Sequence, residues 1–461
     1  MELVMTRFNL PSLPVWVISL ALLLGAGCQS YHPNPLPNHP DLQSVVPGPG
    51  PVTNWDLPGF KPRPIQPDAL DWMAVVTLAV LNNPDLKAAR AGQGLAAAQV
   101  LEAGLLPDPV LSGGPGESSR YTGYAVGLSE DIQALITRGA AKKAAQAHST
   151  QVHLDILWQE LQVAQKAETL FIQATLDQSI RPSLLAAKNL QEQRYRQDAE
   201  SLRRGDLALP TVTADLAAMA DADAALQQLD LDECQTLHDL HALLGLAPNA
   251  PLHLEGKWSA PMLSRDAFRR ALDSLPNTRA DLLALQAGYQ SQEESLRQAV
   301  LAQFPAMTAG VEQGRDPVEG VQTIGLSGSI TLPLFNRNQG QIAIQKATRE
   351  ALRQAYQARL DQSIADADQL WSAIRIQDSH LKLQKQRLPL LRDAAQAADS
   401  ACRKGEMDLS SNIGFQSQFG NAQVAFLQAQ AALARQQAAL YVLLGLPFVS
   451  ANPPRELQGR D

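Results

Sequence analysis

The chain is predicted to be mainly α with a small β part, built as two tandem structural repeats in which very long helices form a quasi-symmetric tube or bundle. Three observations carry this. Arg203-Arg204-Gly205-Asp206 and the run to Leu244-Gly245-Leu246 recur without a gap as Arg403-Lys404-Gly405-Glu406 and the run to Leu444-Gly445-Leu446. Upstream, Asp85-Leu86 through Pro109 recurs as Asp281-Leu282 through Pro305. Finally, each copy places two short segments of alternating polarity ahead of a helical run of about 67 residues, or about 100 Å at helical rise.

The amino terminus reads as an address. Apolar residues Val15 to Leu24 follow Arg7 and lead into Gly25-Ala26-Gly27-Cys28, too short a run to span a bilayer and followed by a small-residue cleavage pattern. Residues 1–27 are therefore expected to be a signal peptide. Its end at a cysteine resembles a bacterial lipoprotein signal, which implies Cys28 as the lipid anchor of the mature chain, although Gly25 stands where such signals usually carry Leu. Gln29 after the cysteine favours outer-membrane delivery by the same analogy. Eleven prolines between Tyr31 and Pro67 exclude helix and central strand, so residues 28–67 read as an extended, Pro-rich strap.

Residues 68–246 form the first repeat. Asp68 to Leu106 has helical periodicity with a break at Asn83-Pro84, and Pro107-Asp108-Pro109 stops it. A β-hairpin is expected at about 109–132, followed by a long helix at 138–204 and a return helix at 208–246. An equatorial linker, 247–263, precedes the second repeat, 264–446, with its hairpin at about 305–334, long helix at 338–404 and return helix at 408–446. Residues 447–461 are a tail. Gly205 and Gly405 mark the helix reversals, since glycine accepts positive φ at a helix end. Pro182 and Pro389 lie inside the long helices at non-equivalent positions, and each should kink its helix or cost it one hydrogen bond. In the last helix Phe415, Phe419, Ala422, Phe426, Ala429, Leu433, Leu440 and Leu443 follow alternating spacings of three and four, a coiled-coil-like seam with Gln436 in the gap.

The alternating segments present one apolar and one polar face. Tyr124, Val126 and Leu128 oppose Ala125, Gly127 and Ser129. Ile324, Leu326, Ile330 and Leu332 oppose Thr323, Gly325, Ser327, Ser329 and Thr331, and Met307, Ala309 and Val311 alternate likewise with Thr308, Gly310 and Glu312. Tyr124, Val126, Leu128, Ile324, Leu326, Ile330 and Leu332 are thus candidates to face lipid. Four strands cannot close a membrane barrel, whose smallest forms have about eight. An open edge in lipid leaves backbone groups unpaired at several kcal/mol each, so several chains would have to share one barrel.

Asn83-Pro84-Asp85-Leu86-Lys87-Ala88-Ala89-Arg90, Leu105-Leu106-Pro107-Asp108-Pro109 and Leu332-Pro333-Leu334-Phe335-Asn336-Arg337-Asn338-Gln339-Gly340 occur in an order that resembles the TolC family of outer-membrane efflux channels, over about Asp68 to Pro447. The resemblance implies a homotrimer with a twelve-stranded β-barrel in the outer membrane of a Gram-negative bacterium and a helical tunnel through the periplasm. It also implies two partners, a periplasmic adaptor (membrane fusion) protein and an inner-membrane pump of RND type. The third segment is most similar to the branch serving heavy-metal cation efflux. The same resemblance makes the reversals the adaptor-docking tips: Arg203, Arg204, Gly205, Asp206 and Leu207 in one copy, Arg403, Lys404, Gly405, Glu406 and Met407 in the other. Helix capping alone also accounts for these charges, cations ending one helix and acids beginning the next. Acidic rings that related channels place six and nine residues past the tip glycine are not carried over, because Thr211, Ala214, Ser411 and Gly414 stand there. Asp215 and Asp408 stand nearby as substitutes, but each reads first as a solvated surface acid.

Composition removes other classes. A net charge of -8 argues against nucleic acid. Neither a GxxxxGK loop nor an HExxH pair is present, so no catalytic residue and no cofactor is expected and transport energy must come from a partner. Cys234, His238 and His241 share a helix face and could hold a soft metal, but three groups on one helix could equally point at water or at a neighbouring helix, and no metal site is assigned. His148 and His153 lack ligand spacing, and His32 and His39 lie in the strap. Cys234 and Cys402 lie too far apart to bridge within one chain and read as small buried apolar residues. The rival reading is a lipid-anchored, coiled-coil periplasmic scaffold with no pore.

Overall fold

The computed structural model describes residues 30–47, 65–116, 123–315 and 321–446. The expected signal peptide, Cys28, most of the strap's second half and the 447–461 tail lie outside the described residues. Residues 30–42 belong to a separate small unit of irregular chain, in which Ser30 Oγ hydrogen-bonds His32 Nε2 at 2.9 Å.

The main unit begins at Gln43. Gln43 pairs in parallel with Leu246, donating to the Gly245 carbonyl at 3.0 Å and accepting from Ala247 N at 2.8 Å, while Val46 and Ile65 enter the core. Helix α1 (Trp72–Asn82) is apolar on every side, and Met73 to Val80 are all buried, as an all-round hydrophobic helix must be. Asp71 caps it by accepting from Ala74 N at 2.8 Å. Asn83 ends α1 and starts α2 (Pro84–Gly104), its side chain accepting from Leu86 N at 3.0 Å, with Pro84 in the first turn where a missing N–H costs nothing.

Strands β1 (Val110–Gly116) and β2 (Gly123–Asp131) lead into α3 (Ile132–Arg204), and α4 (Leu209–Leu243) returns. In the second copy α5 (Arg265–Thr278) and α6 (Ala280–Leu301) precede β3 (Met307–Arg315), β4 (Gln322–Ile330), α7 (Gln339–Arg403) and α8 (Leu409–Leu443). The sequence-based long helix at 138–204 begins six residues early, because Asp131 accepts from Ala134 N at 3.0 Å and caps a helix directly at the strand end. Leu332, assigned by pattern to the second hairpin, falls after β4. Pro182 and Pro389 sit within α3 and α7, which continue past them in both cases.

All four strands form one antiparallel sheet in the order β1-β2-β3-β4, so the two copies meet edge to edge at β2 and β3. Helix α3 packs on α4 on one side and α8 on the other, and α8 packs on α7, giving a side-by-side order α4, α3, α8, α7. Phe171, Ala164 and Ala167 of α3 join α1 and the end of α4 in one core; Ile374 and Ala367 of α7 join Leu433 and Leu440 of α8 and Phe268 of α5 in a second. Phe268 stacks on Trp371 at 4.6 Å.

The copies use different chemistry for one equivalent joint. Asn83 Nδ2 donates to the Leu243 carbonyl at the end of α4 at 3.1 Å. At the corresponding place Arg279, 2 % exposed, turns Nη1 towards the Leu443 carbonyl at 3.5 Å and grips Asp281 with Nε and Nη2 at 2.7 and 3.0 Å. Arg359 of α7 reaches the same carboxylate at 2.7 Å, and both guanidiniums lie over Trp158 of α3, at 4.7 and 5.9 Å from its ring centroid. A charge this deep is tolerated because it is paired and hydrogen-bonded.

Candidate functional site

Two places hold the candidate functional residues: the sheet face and the helix reversals. Register puts Leu111, Leu128, Val311 and Leu326 directly across from one another, an apolar row running over all four strands. Val126 and Ile324 lie one step along on the same face, with Gln313 between them, and Tyr124, Met307 and Ile330 also fall there. The opposite face carries Ser112, Ala125, Gly127, Ser129, Thr308, Gly310, Glu312, Gly325, Ser327 and Ser329. All seven residues expected to face lipid are exposed, Leu326 at 93 %. Gly310 is required where β3 meets β2, since a Cβ there would stand 2.4 Å from the Leu128 carbonyl oxygen.

Among the described residues β1 pairs only with β2 and β4 only with β3. Both outer edges therefore keep unpaired N–H and C=O groups beside a large apolar face. No helix is long and apolar enough to cross a membrane among the described residues.

At the reversals, Gly205 and Gly405 adopt φ of +83° and +75°. Gly205 N donates to the Leu202 carbonyl and Asp206 N to that of Ser201; Gly405 and Glu406 repeat this with Cys402 and Ala401. Each helix thereby closes its last carbonyls within a six-residue turn. Arg203, Arg204, Asp206, Arg403, Lys404 and Glu406 project into solvent, while Leu207 and Met407 are half-buried. The second helix starts differ. Asp408 caps α8, accepting from Ser411 N at 2.8 Å and from Ser411 Oγ at 2.7 Å, and these bonds hold its carboxyl below the ordinary range. Ala208 supplies α4 no such cap, and Pro210 occupies its first turn.

Two sequence expectations change, and the open choice for His241 is decided. Asp215 is not a solvated acid: it is 2 % exposed and paired with Arg194 Nε at 2.7 Å across the α3–α4 seam. Burial first, and then a hydrogen bond with Asp198, push its carboxyl upwards against the pull of Arg194. Cys234 is exposed rather than buried, because it lies off the seam that α4 buries through Val212, Asp215, Leu229, Thr236 and Leu240; Cys402 is half-buried. His241 does not join Cys234 and His238 at the surface. It turns inward, its ring nitrogens 2.6 and 2.8 Å from the carbonyls of Leu237 and Ala250, and no cluster of metal-ligating side chains occurs among the described residues.

Glu168 is a buried acid that pattern reading passed over. It lies at 3 % exposure on α3, and burial pushes its carboxyl up to about 8. The indole of Trp258 in the linker favours the ionised form slightly, although its N–H is not aligned as a hydrogen bond. The only available signal was position: an acid within the Leu161, Ala164, Ala167, Phe171 stripe.

Comparison with known proteins agrees with this architecture. No curated protein matches the sequence. The structure of the outer-membrane channel OprN aligns with a TM-score of 0.67 at 17% identity, covering 89% of this chain and 98% of that one. The Campylobacter jejuni CmeC outer membrane channel aligns with a TM-score of 0.65 at 17% identity, covering 83% and 87%. The open state of the Neisseria gonorrhoeae MtrE outer membrane channel aligns with a TM-score of 0.62 at 16% identity, covering 89% and 98%. The family model described as outer membrane efflux protein matches residues 271–446, most of the second repeat. By sequence over residues 271–446 the chain is similar to outer membrane efflux proteins, and over most of its length it shares the fold of these channels.

Proposed function

We propose that this protein is the exit duct of a tripartite efflux system: a homotrimer whose pooled strands form a twelve-stranded barrel in the outer membrane of a Gram-negative bacterium, above a periplasmic helical tunnel. The observation that carries the reading is the open four-stranded sheet, apolar on one face and unpaired at both edges. Two such edges in lipid are satisfied only by other sheets. Three copies follow from the family resemblance; the edge argument requires only that there be more than one.

In this reading Tyr124, Val126, Leu128, Ile324, Leu326, Ile330 and Leu332 face lipid, and Cys28 anchors each chain. The tips at Arg203 to Leu207 and Arg403 to Met407 dock a periplasmic adaptor, and an inner-membrane pump of RND type supplies the energy. Small molecules or heavy-metal cations are the cargo. The test is to purify full-length protein from outer membranes and measure its oligomeric state and conductance in planar bilayers. Heat-modifiable trimers with discrete ion conductance are expected. A monomeric, non-conducting protein would overturn the proposal in favour of a tethered scaffold.

A further inference from the structure

The two helical hairpins share a turn and a return helix of 35 residues, but the first adds a ladder of ion pairs to its apolar seam. Across α3 and α4, three cations at near-heptad spacing meet acids on the returning helix. Arg181 pairs with Asp230 at 2.7 Å and with Glu233, Lys188 with Asp223 at 2.8 Å, and Arg194 with Asp215 at 2.7 Å. Two hundred positions on, every member of this ladder is replaced. Arg181, Lys188 and Arg194 become Leu381, Leu388 and Ala394; Asp215, Asp223, Asp230 and Glu233 become Phe415, Gln423, Gln430 and Leu433. The stretch Leu409 to Ala434 of α8 contains no charged residue.

Among the described residues no ion pair crosses the α7–α8 seam. The ion pairs of lower α7 stay on their own helix: Lys382 with Asp378, Arg392 with Asp393, Arg403 with Asp399. Across it run uncharged hydrogen bonds, Gln416 Nε2 donating to the Ala395 carbonyl at 2.9 Å and Gln377 Nε2 to that of Ala429 at 3.3 Å, while Ala395, Ala398 and Ile413 are buried and Leu388, Phe419 and Phe426 line one groove.

We propose that the first hairpin is a salt-responsive element and the second a salt-indifferent one. Mobile ions screen partly exposed pairs such as Arg181–Asp230 and Lys188–Asp223, so rising ionic strength loosens α3 against α4. Apolar burial in the second seam is not weakened by salt. In the trimer proposed above, and resting on that reading, salt would free three alternate hairpins of six at the tunnel end.

The hairpin asymmetry itself is testable without that reading, by hydrogen–deuterium exchange on the full-length protein between roughly 20 and 500 mM NaCl, where screening shortens from over 20 Å to under 5 Å. Exchange should accelerate about fivefold or more within 181–194 and 215–233, and by less than about twofold within 381–394 and 415–433. Transplanting one rung, Leu388→Lys with Gln423→Asp, should confer a salt response on the second hairpin. Lys188→Leu with Asp223→Gln should reduce it in the first, and the single change Asp223→Asn offers a milder loss of the same rung. Equal salt responses in the two wild-type hairpins, or a response that follows none of these exchanges, would overturn the proposal even if the protein conducts.

Discussion

Replacing Glu168 by Gln should flatten the pH dependence of stability. The carboxyl is moved from 4.5 to about 8 by burial, and each unit corresponds to about 1.4 kcal/mol, so the site carries roughly 5 kcal/mol of differential protonation energy. The direction follows from linkage. The folded state holds this proton more tightly than the unfolded chain, so the contribution is most favourable below about pH 4.5, falls as pH rises, and reaches its full cost above about pH 8. The substituted glutamine keeps the shape and polarity of the acid but cannot ionise.

The informative quantity is the difference between wild type and Glu168→Gln in denaturant unfolding, followed by far-ultraviolet circular dichroism at pH 5, 6, 7, 8 and 9. The variant should gain on the wild type by about 1.4 kcal/mol per pH unit between pH 5 and 8, and little beyond. Other groups titrate in both proteins and cancel. Parallel stability profiles across this range would refute the assignment of a proton to buried Glu168.

Three other outcomes follow from the geometry. Arg279→Ala leaves Asp281 with Arg359 and the Leu282 N–H and removes the contact to Leu443, so about 3–5 kcal/mol of stability should be lost in thermal or chemical unfolding. If the apolar sheet face meets lipid as proposed, Leu326→Arg near the middle of β4 should cost about 2–4 kcal/mol in refolding into bilayers, whereas Ser327→Arg on the other face should cost much less. Gly205→Pro with Gly405→Pro removes both turn N–H groups and forbids positive φ. Export in cells should be abolished while oligomers still reach the outer membrane, and parental export would exclude a role for the tips.

Much of this architecture was legible because it depends on periodicity. The duplicated tip motif and the alternation of Ile324, Leu326 and Ile330 each fix a local conformation, whereas the spacing of three and four read on α8 buries only Leu433 and Leu440 of its eight residues and leaves Phe415 exposed. Asn83-Pro84 located the α1–α2 joint correctly because an N-cap acceptor and a first-turn proline act within a few residues. Even the loss of the ion-pair ladder is written in the chain, since Lys188 and Leu388 can be aligned without coordinates. Its meaning was hidden until α3 and α4 were seen to bring Lys188 to Asp223.

Determined by the sequence alone were the repeats, the long helices, the glycine reversals and the two-faced strands, all consequences of short-range sterics and hydrophobic periodicity. The tertiary structure decided what depends on environment. It joined the two hairpins at β2 and β3, buried Asp215 against Arg194, turned His241 away from Cys234, and set Arg279 over Trp158. It also enclosed Glu168. In each case the energy lies in desolvation and in partners up to about 200 residues away, which no local pattern specifies.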